Sequence, residues 1–245
     1  MKTWIWTIWL LSLVMNLAAQ EQKVVNDPNA QKREVGSFKG VKISGSIELI
    51  LSQGPEYKVA ISAADAEDVE KIVTEIRGDV LYIELKDRKN WFTDQWNSMN
   101  KRFKAYISAP DIRSIESAGS GSIQIVGTLK AEALDLEIAG SVNVKGSIDV
   151  ENLELVQSGS SNIRLTGKAT RAEFNCSGSG NLQSPDLMID FCEVSISGSG
   201  NADLTVEKEL SASLSGSGNI RYKGNAEITE KSISGVGKIR KMDTP

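Results

Sequence analysis

Histidine is absent from this 245-residue chain, and cysteine, proline and aromatic residues are scarce. Without histidine there is no Ser-His-Asp or Cys-His catalysis, and most zinc sites are excluded. The two cysteines, Cys176 and Cys192, fall at different phases of the pattern described below. The offset is about four residues, or ~13 Å of strand, too far for a disulfide. They read as buried thiols. Past the N-terminal segment no apolar run approaches the ~18 residues of a membrane-spanning helix. Basic residues are outnumbered, 28 against 32 acidic for a net charge of −4, which argues against nucleic acid as a partner.

Glycine, serine and asparagine are what the chain has instead, and they recur in register. Gly119, Gly140, Gly159, Gly178, Gly198, Gly216 and Gly235 are separated by 21, 19, 19, 20, 18 and 19 residues. A period of this size belongs to a solenoid, in which no repeat buries its apolar side alone. Two, four and six residues before each glycine the chain is mainly apolar, as in Leu134, Leu136 and Ile138 or Leu153, Leu155 and Gln157. Polar residues lie between them, the alternation of a half-buried strand. Four residues after the glycine the apolar column resumes as Ile123, Val144, Ile163, Leu182, Ala202, Ile220 and Ile239. The columns are rich in Ile, Leu and Val, which favours strand over helix. The fold class expected is all-β: a parallel β-helix of about 19 residues per coil over residues 111–241, preceded by a β-rich part over residues 33–110.

The corner between the two strands carries Asn143, Asn162, Asn181, Asn201 and Asn219 in one column, with Ser122 before and Lys238 after. Stacking predicts a ladder of side-chain amides. Gly121, Gly180, Gly200, Gly218 and Gly237 are expected to supply positive φ at the bend. A nucleotide-binding glycine loop is rejected because that fingerprint opens a helix, and none follows here. Calcium-binding nonapeptide repeats are rejected because they need Asp where this chain has Asn.

Residues 1–19 have the layout of a secretory signal peptide: Lys2, an apolar run from Trp4 to Val14, and the small residues Ala18 and Ala19. Export to the periplasm, the outer surface or the medium is expected, with no membrane span after removal of the signal. Residues 20–32 are polar, contain Pro28 and read as a flexible leader.

In the front part, Phe38–Ile43, Ile47–Leu51, Tyr57–Ile61 and Val80–Leu85 read as strands, with a short helix over Asp65–Lys71. The order is a Ser-Gly-Ser-Ile turn at residues 44–47, Leu-Ser-Gln-Gly, Leu-Tyr-Ile-Glu-Leu, then Ala-Tyr-Ile-Ser-Ala-Pro-Asp-Ile leading into the Ser-Gly-Ser-Gly-Asn copies at 177–181, 197–201 and 215–219. This resembles the head GIN domain family of autotransporter-adhesin-like proteins over residues 35 to 240. The resemblance implies two β-rich layers, with the strand-built front continuous with the solenoid. The Ser44–Ile47 turn then reads as an early coil, separated from the rest by inserted strands.

Two features are candidate sites. The insertion 86–104 holds Trp91, Phe92, Trp96, Met99 and Phe103 among the basic residues Lys86, Arg88, Lys89, Lys101 and Arg102, and Phe92, Trp96, Met99 and Phe103 fall at helical spacing. It reads either as a cap over the open first coil or as a contact surface for a protein or glycan, with Trp91, Phe92, Trp96 and Phe103 as its rings. The outward column Asp135, Glu154, Glu173 and Glu193 puts like charges on consecutive coils, repelling by roughly 0.8 kcal/mol per pair at the dielectric of water. It reads either as a solvated acidic face or as a row of carboxylates that binds Ca²⁺. No other cofactor is expected. The residues favour a non-catalytic binding or adhesion scaffold of the envelope or cell surface. The alternatives are an envelope structural or signalling accessory that engages a protein through 86–104, and a carbohydrate-active β-helix enzyme using paired carboxylates. One regular row of acids supplies neither opposed pKa values nor a concave pocket, so catalysis is disfavoured.

Overall fold

The computed structural model describes residues 27–86 and 103–242. The signal segment, and Trp91, Phe92 and Trp96 of the insertion, lie outside the described residues. Fourteen strands and one short 3-10 helix make up the rest. β1 is Gln31–Arg33, β2 Gly40–Gly45, β3 Ile47–Gln53, β4 Lys58–Ala63, β5 Ile72–Arg77, β6 Val80–Leu85 and β7 Phe103–Ala109. The solenoid follows as β8 Ser114–Gly159, β9 Asn162–Gly178, β10 Asn181–Gly198, β11 Asn201–Gly216, β12 Asn219–Lys223, β13 Glu227–Gly235 and β14 Lys238–Lys241. β8 to β11 are each long enough to run around corners without losing strand geometry.

Stacking is parallel and letter-for-letter. Gly159 pairs with Gly178, Gly178 with Gly198, Gly198 with Gly216 and Gly216 with Gly235. The carbonyls of Gly140, Gly159, Gly178 and Gly198 each accept a hydrogen bond from the N–H of the serine that follows the next glycine in the column. Unequal repeat lengths are absorbed away from the corner. In the 20-residue step an extra residue is taken up between Leu182 and Asp186, where the pairing with β9 slips. Pro185 lies in that slip, where its missing N–H costs no ladder bond.

The front strands belong to the same 14-stranded sheet. Gly45 pairs with Gly119 and Leu49 with Ile123, so β2 and β3 form the level before the first repeat, as the Ser44–Ile47 turn predicts. β6 and β7 form the level before that, with Ile43 opposite Ile83 and Ile47 opposite Phe103. The chain therefore leaves at Lys86 and returns at Phe103 on either side of a corner position. β5 pairs with β6, and β1 with β4, in antiparallel sense. The 3-10 helix, Ala66–Lys71, runs from β4 to β5 with Val69 fully buried.

Two sequence expectations are corrected here. Residues 27–32 are not a loose leader: β1 adds to β4, Asn29 Nδ2 donates to the carbonyls of Ala63 and Ala64, and Tyr106 donates to Asp27 at 2.9 Å. A polar stretch can still dock when a sheet edge offers it backbone partners. Positive φ belongs to the register glycines, from Gly119 at +139° to Gly235 at +130°, and not to Gly121, Gly180, Gly200, Gly218 or Gly237. Those five are small for a different reason, as Gly218 shows: a Cβ there would lie 1.8 Å from the carbonyl oxygen of Gly200. Val142 and Ser161 occupy the same column on two other rungs.

The core is one continuous stripe of inward columns, including Leu136, Leu155, Phe174 and Val194 before the corner and Ile163, Leu182, Ala202 and Ile220 after it. Cys176 and Cys192 are buried and unbridged, as their phase predicts.

Candidate binding face

The asparagine column is the most ordered polar feature of the surface. Asn143, Asn162, Asn181, Asn201 and Asn219 stand on successive paired rungs. From Asn162 onward each Nδ2 donates to the Oδ1 of the preceding asparagine, at 3.4, 3.1, 3.0 and 3.1 Å along the series. Each such bond contributes about 1 kcal/mol net. Their cooperative effect is to hold every amide plane in one orientation. Asn143 and Asn162 are exposed, whereas Asn181, Asn201 and Asn219 are half-buried.

Two residues further along each rung runs a second outward column. Arg164 donates to Gln183 at 3.0 Å, and Arg221 makes two 2.5 Å bonds to the carboxylate of Asp203. Donating these hydrogen bonds to the Asp203 carboxylate raises the pKa of the Arg221 guanidinium. Arg240 stands in register with Arg221, and Lys238 with Asn219. Between the columns lies an open groove of about 440 Å³, lined by Asn181, Asn201, Asn219, Arg221, Lys238 and Arg240, with Gln183 at one end.

The sites expected from sequence fare differently. Phe103 is 5 % exposed at the start of β7 and its ring is in the core. Its place in an exposed aromatic stripe is therefore corrected: period-two burial along β7, not helical spacing, decides where it points. The acidic column is real and exposed. Glu154 pairs with Glu173 and Glu173 with Glu193, while Asp135 lies five residues before Gly140, which stacks under Gly159. Parallel stacking gives one carboxylate per rung, and among the described residues no three acidic, cysteine or histidine side chains converge as a metal site requires. Glu173 turns instead to Asn175, whose Nδ2 donates to it at 2.8 Å.

Neither cysteine is placed as a nucleophile. Burial pushes the Cys176 thiol up to about 11, and burial, with the charge of Glu193 adding to it, pushes Cys192 higher still. Neither is a thiolate at neutral pH. Sequence reasoning missed two polar features. Gln157 is buried, donating to the carbonyl of Ser161 at 3.0 Å while its Oε1 has no protein partner. The groove is the other; it does not stand out as a motif, because the column beside the asparagines reads Lys145, Arg164, Gln183, Asp203, Arg221 and Arg240, with no one residue type on every rung.

Residues 37–226 match the family model described as "Putative auto-transporter adhesin, head GIN domain". Among curated proteins no sequence matches significantly. Solved structures share the fold. One from Bacteroides fragilis, described as a "putative adhesin", has 22 % identity and a TM-score of 0.76 over 87 % of this chain and 96 % of its own. One from Parabacteroides distasonis, described as a "putative lipid binding protein", has 26 % identity and a TM-score of 0.65 over 87 % and 96 %. One from Parabacteroides merdae, also described as a "putative adhesin", has 20 % identity and a TM-score of 0.61 over 87 % and 95 %. Among the described residues no helix is long and apolar enough to cross a membrane.

Proposed function

The chain belongs to the head GIN domain family, and from that premise we propose that it is an exported, non-catalytic β-solenoid that acts as a binding or adhesion scaffold at the cell surface or in the envelope. The observation that carries this reading is the asparagine ladder with its flanking groove: side chains on successive rungs are tied to one another and held in fixed orientation. A pre-ordered surface loses little side-chain entropy when it binds, so modest contacts repeated along the rod add up. The same regularity speaks against an enzyme. The acids stand in an even row, the thiols are buried, and histidine is absent from the whole sequence.

The test uses the chain without residues 1–19, folded and urea-unfolded, against envelope fragments of the source organism. Saturable binding by the folded form alone is expected, with no new reducing ends released from neutral or acidic polysaccharides. Equal binding by both forms, or turnover of any polysaccharide, contradicts the reading.

A further inference from the structure

The groove beside the ladder carries an unmatched charge. The chain as a whole is acidic, at −4, and its exposed acidic column, Glu154, Glu173 and Glu193, lies before the corner glycine, whereas the groove lies after it. In the groove, Arg221, Lys238 and Arg240 stand within one rung of one another. Among the described residues Asp203 is the acid beside them, and both its carboxylate oxygens accept from Arg221. Arg240, one rung on, stands in register with Arg221. Asp203 neutralises Arg221, so Lys238 and Arg240 carry the net positive charge of the groove, and that charge favours an anion.

The asparagines, in whose column Lys238 itself stands, supply a different chemistry. A side-chain amide has two N–H donors and two acceptor lone pairs. Inside the ladder, Asn181 and Asn201 each use one donor and one lone pair on their neighbours. The remaining donor and acceptor of each recur at the rung spacing of ~4.8 Å. Rows of paired donors and acceptors suit hydroxyl groups, which are both at once. Among the described residues no aromatic ring lines the groove, so they offer no stacking platform of the kind on which single-stranded nucleic acid relies.

We propose that this groove binds an acidic polysaccharide lying along the rungs, with Lys238 and Arg240 holding sugar carboxylates and Asn181, Asn201 and Asn219 holding hydroxyls. The proposal rests on the binding-scaffold reading and names its ligand class. Arg221 stays with Asp203 and acts as a positioning residue, fixing the edge of the groove.

Labelled oligogalacturonate, dextran and polyglutamate are titrated against the chain without residues 1–19 and followed by fluorescence anisotropy. Oligogalacturonate is expected to bind saturably, more weakly as salt rises, and dextran and polyglutamate at least about tenfold more weakly. Lys238→Gln with Arg240→Gln is expected to lose about tenfold or more in oligogalacturonate affinity at unchanged Tm. Lys130→Gln, on another surface, is expected to leave affinity unchanged. Absence of oligogalacturonate binding, equal binding of dextran or polyglutamate, or a double variant that binds like the wild type would each overturn the proposal. The envelope assay is run on the same samples. Wild-type binding to envelope without binding to oligogalacturonate removes the ligand class alone; failure of both removes the scaffold reading as well.

Discussion

Gly198→Ala is expected to destabilise the protein by about 4 kcal/mol, a loss outside the range of ordinary point mutations. Two effects act together. Gly198 has φ of +131°, a conformation that side chains of L-residues rarely adopt, and a Cβ there would lie 2.2 Å from the carbonyl oxygen of Gly178. That oxygen accepts the N–H of Ser199 at 2.9 Å, so the methyl group cannot be accommodated without opening the bond that joins the two coils. Gly78→Ala is the matched control. Its φ of +67° is also positive, but nothing lies within 4 Å of a Cβ there, so the expected loss is only about 1–2 kcal/mol of left-handed backbone strain. Urea unfolding followed by far-UV circular dichroism measures both. Equal losses would mean that close approach of the corners is not what demands glycine.

The second large effect is expected in the core. Phe174 is fully buried, in the column that carries Leu155 on one neighbouring rung and Val194 on the other. Its own strand presents Ala172 two residues earlier, so the ring supplies volume that its neighbour leaves unfilled. Phe174→Ala is expected to cost about 3–5 kcal/mol through lost burial and the cavity left behind. Phe174→Leu keeps most of the volume and is expected to cost less than about 1.5 kcal/mol. The same urea titration checks both, and a loss below about 1 kcal/mol for Phe174→Ala would show that the column collapses freely around the gap.

The solenoid was legible in the chain because its constraints act on single residue types. Gly159, Gly178 and Gly198 leave no room for a side chain, and Asn162, Asn181 and Asn201 each hydrogen-bond to a like residue, so the letters must repeat. The front half was harder to read. Antiparallel β1 and β5 join the stack through backbone pairing, which places no signature on Gln31–Arg33 or Ile72–Arg77. Phe103 was misread because an aromatic at helical spacing from Trp96 and Met99 is also the first residue of an alternating strand. The two glycine columns were told apart only by dihedral angle: one needs positive φ, the other only the absence of a Cβ. The groove was hidden because its character arises from three different residue types on adjacent rungs, Asn219, Lys238 and Arg240, which come together in space through register and not through repetition.

Register is also the premise of every functional statement made about the surface, and disulfide trapping tests it most directly. In a Cys176→Ala, Cys192→Ala background, cysteines are placed at Glu154 and Glu173, or at Glu154 and Glu193. Directly paired rungs are ~4.8 Å apart, within disulfide reach, and alternate rungs are ~10 Å apart, beyond it. Quantitative cross-linking of the 154/173 pair with none of the 154/193 pair is the predicted result. Cross-linking of 154/193, or its failure at 154/173, would contradict the stacked coils on which the ladder and the groove depend.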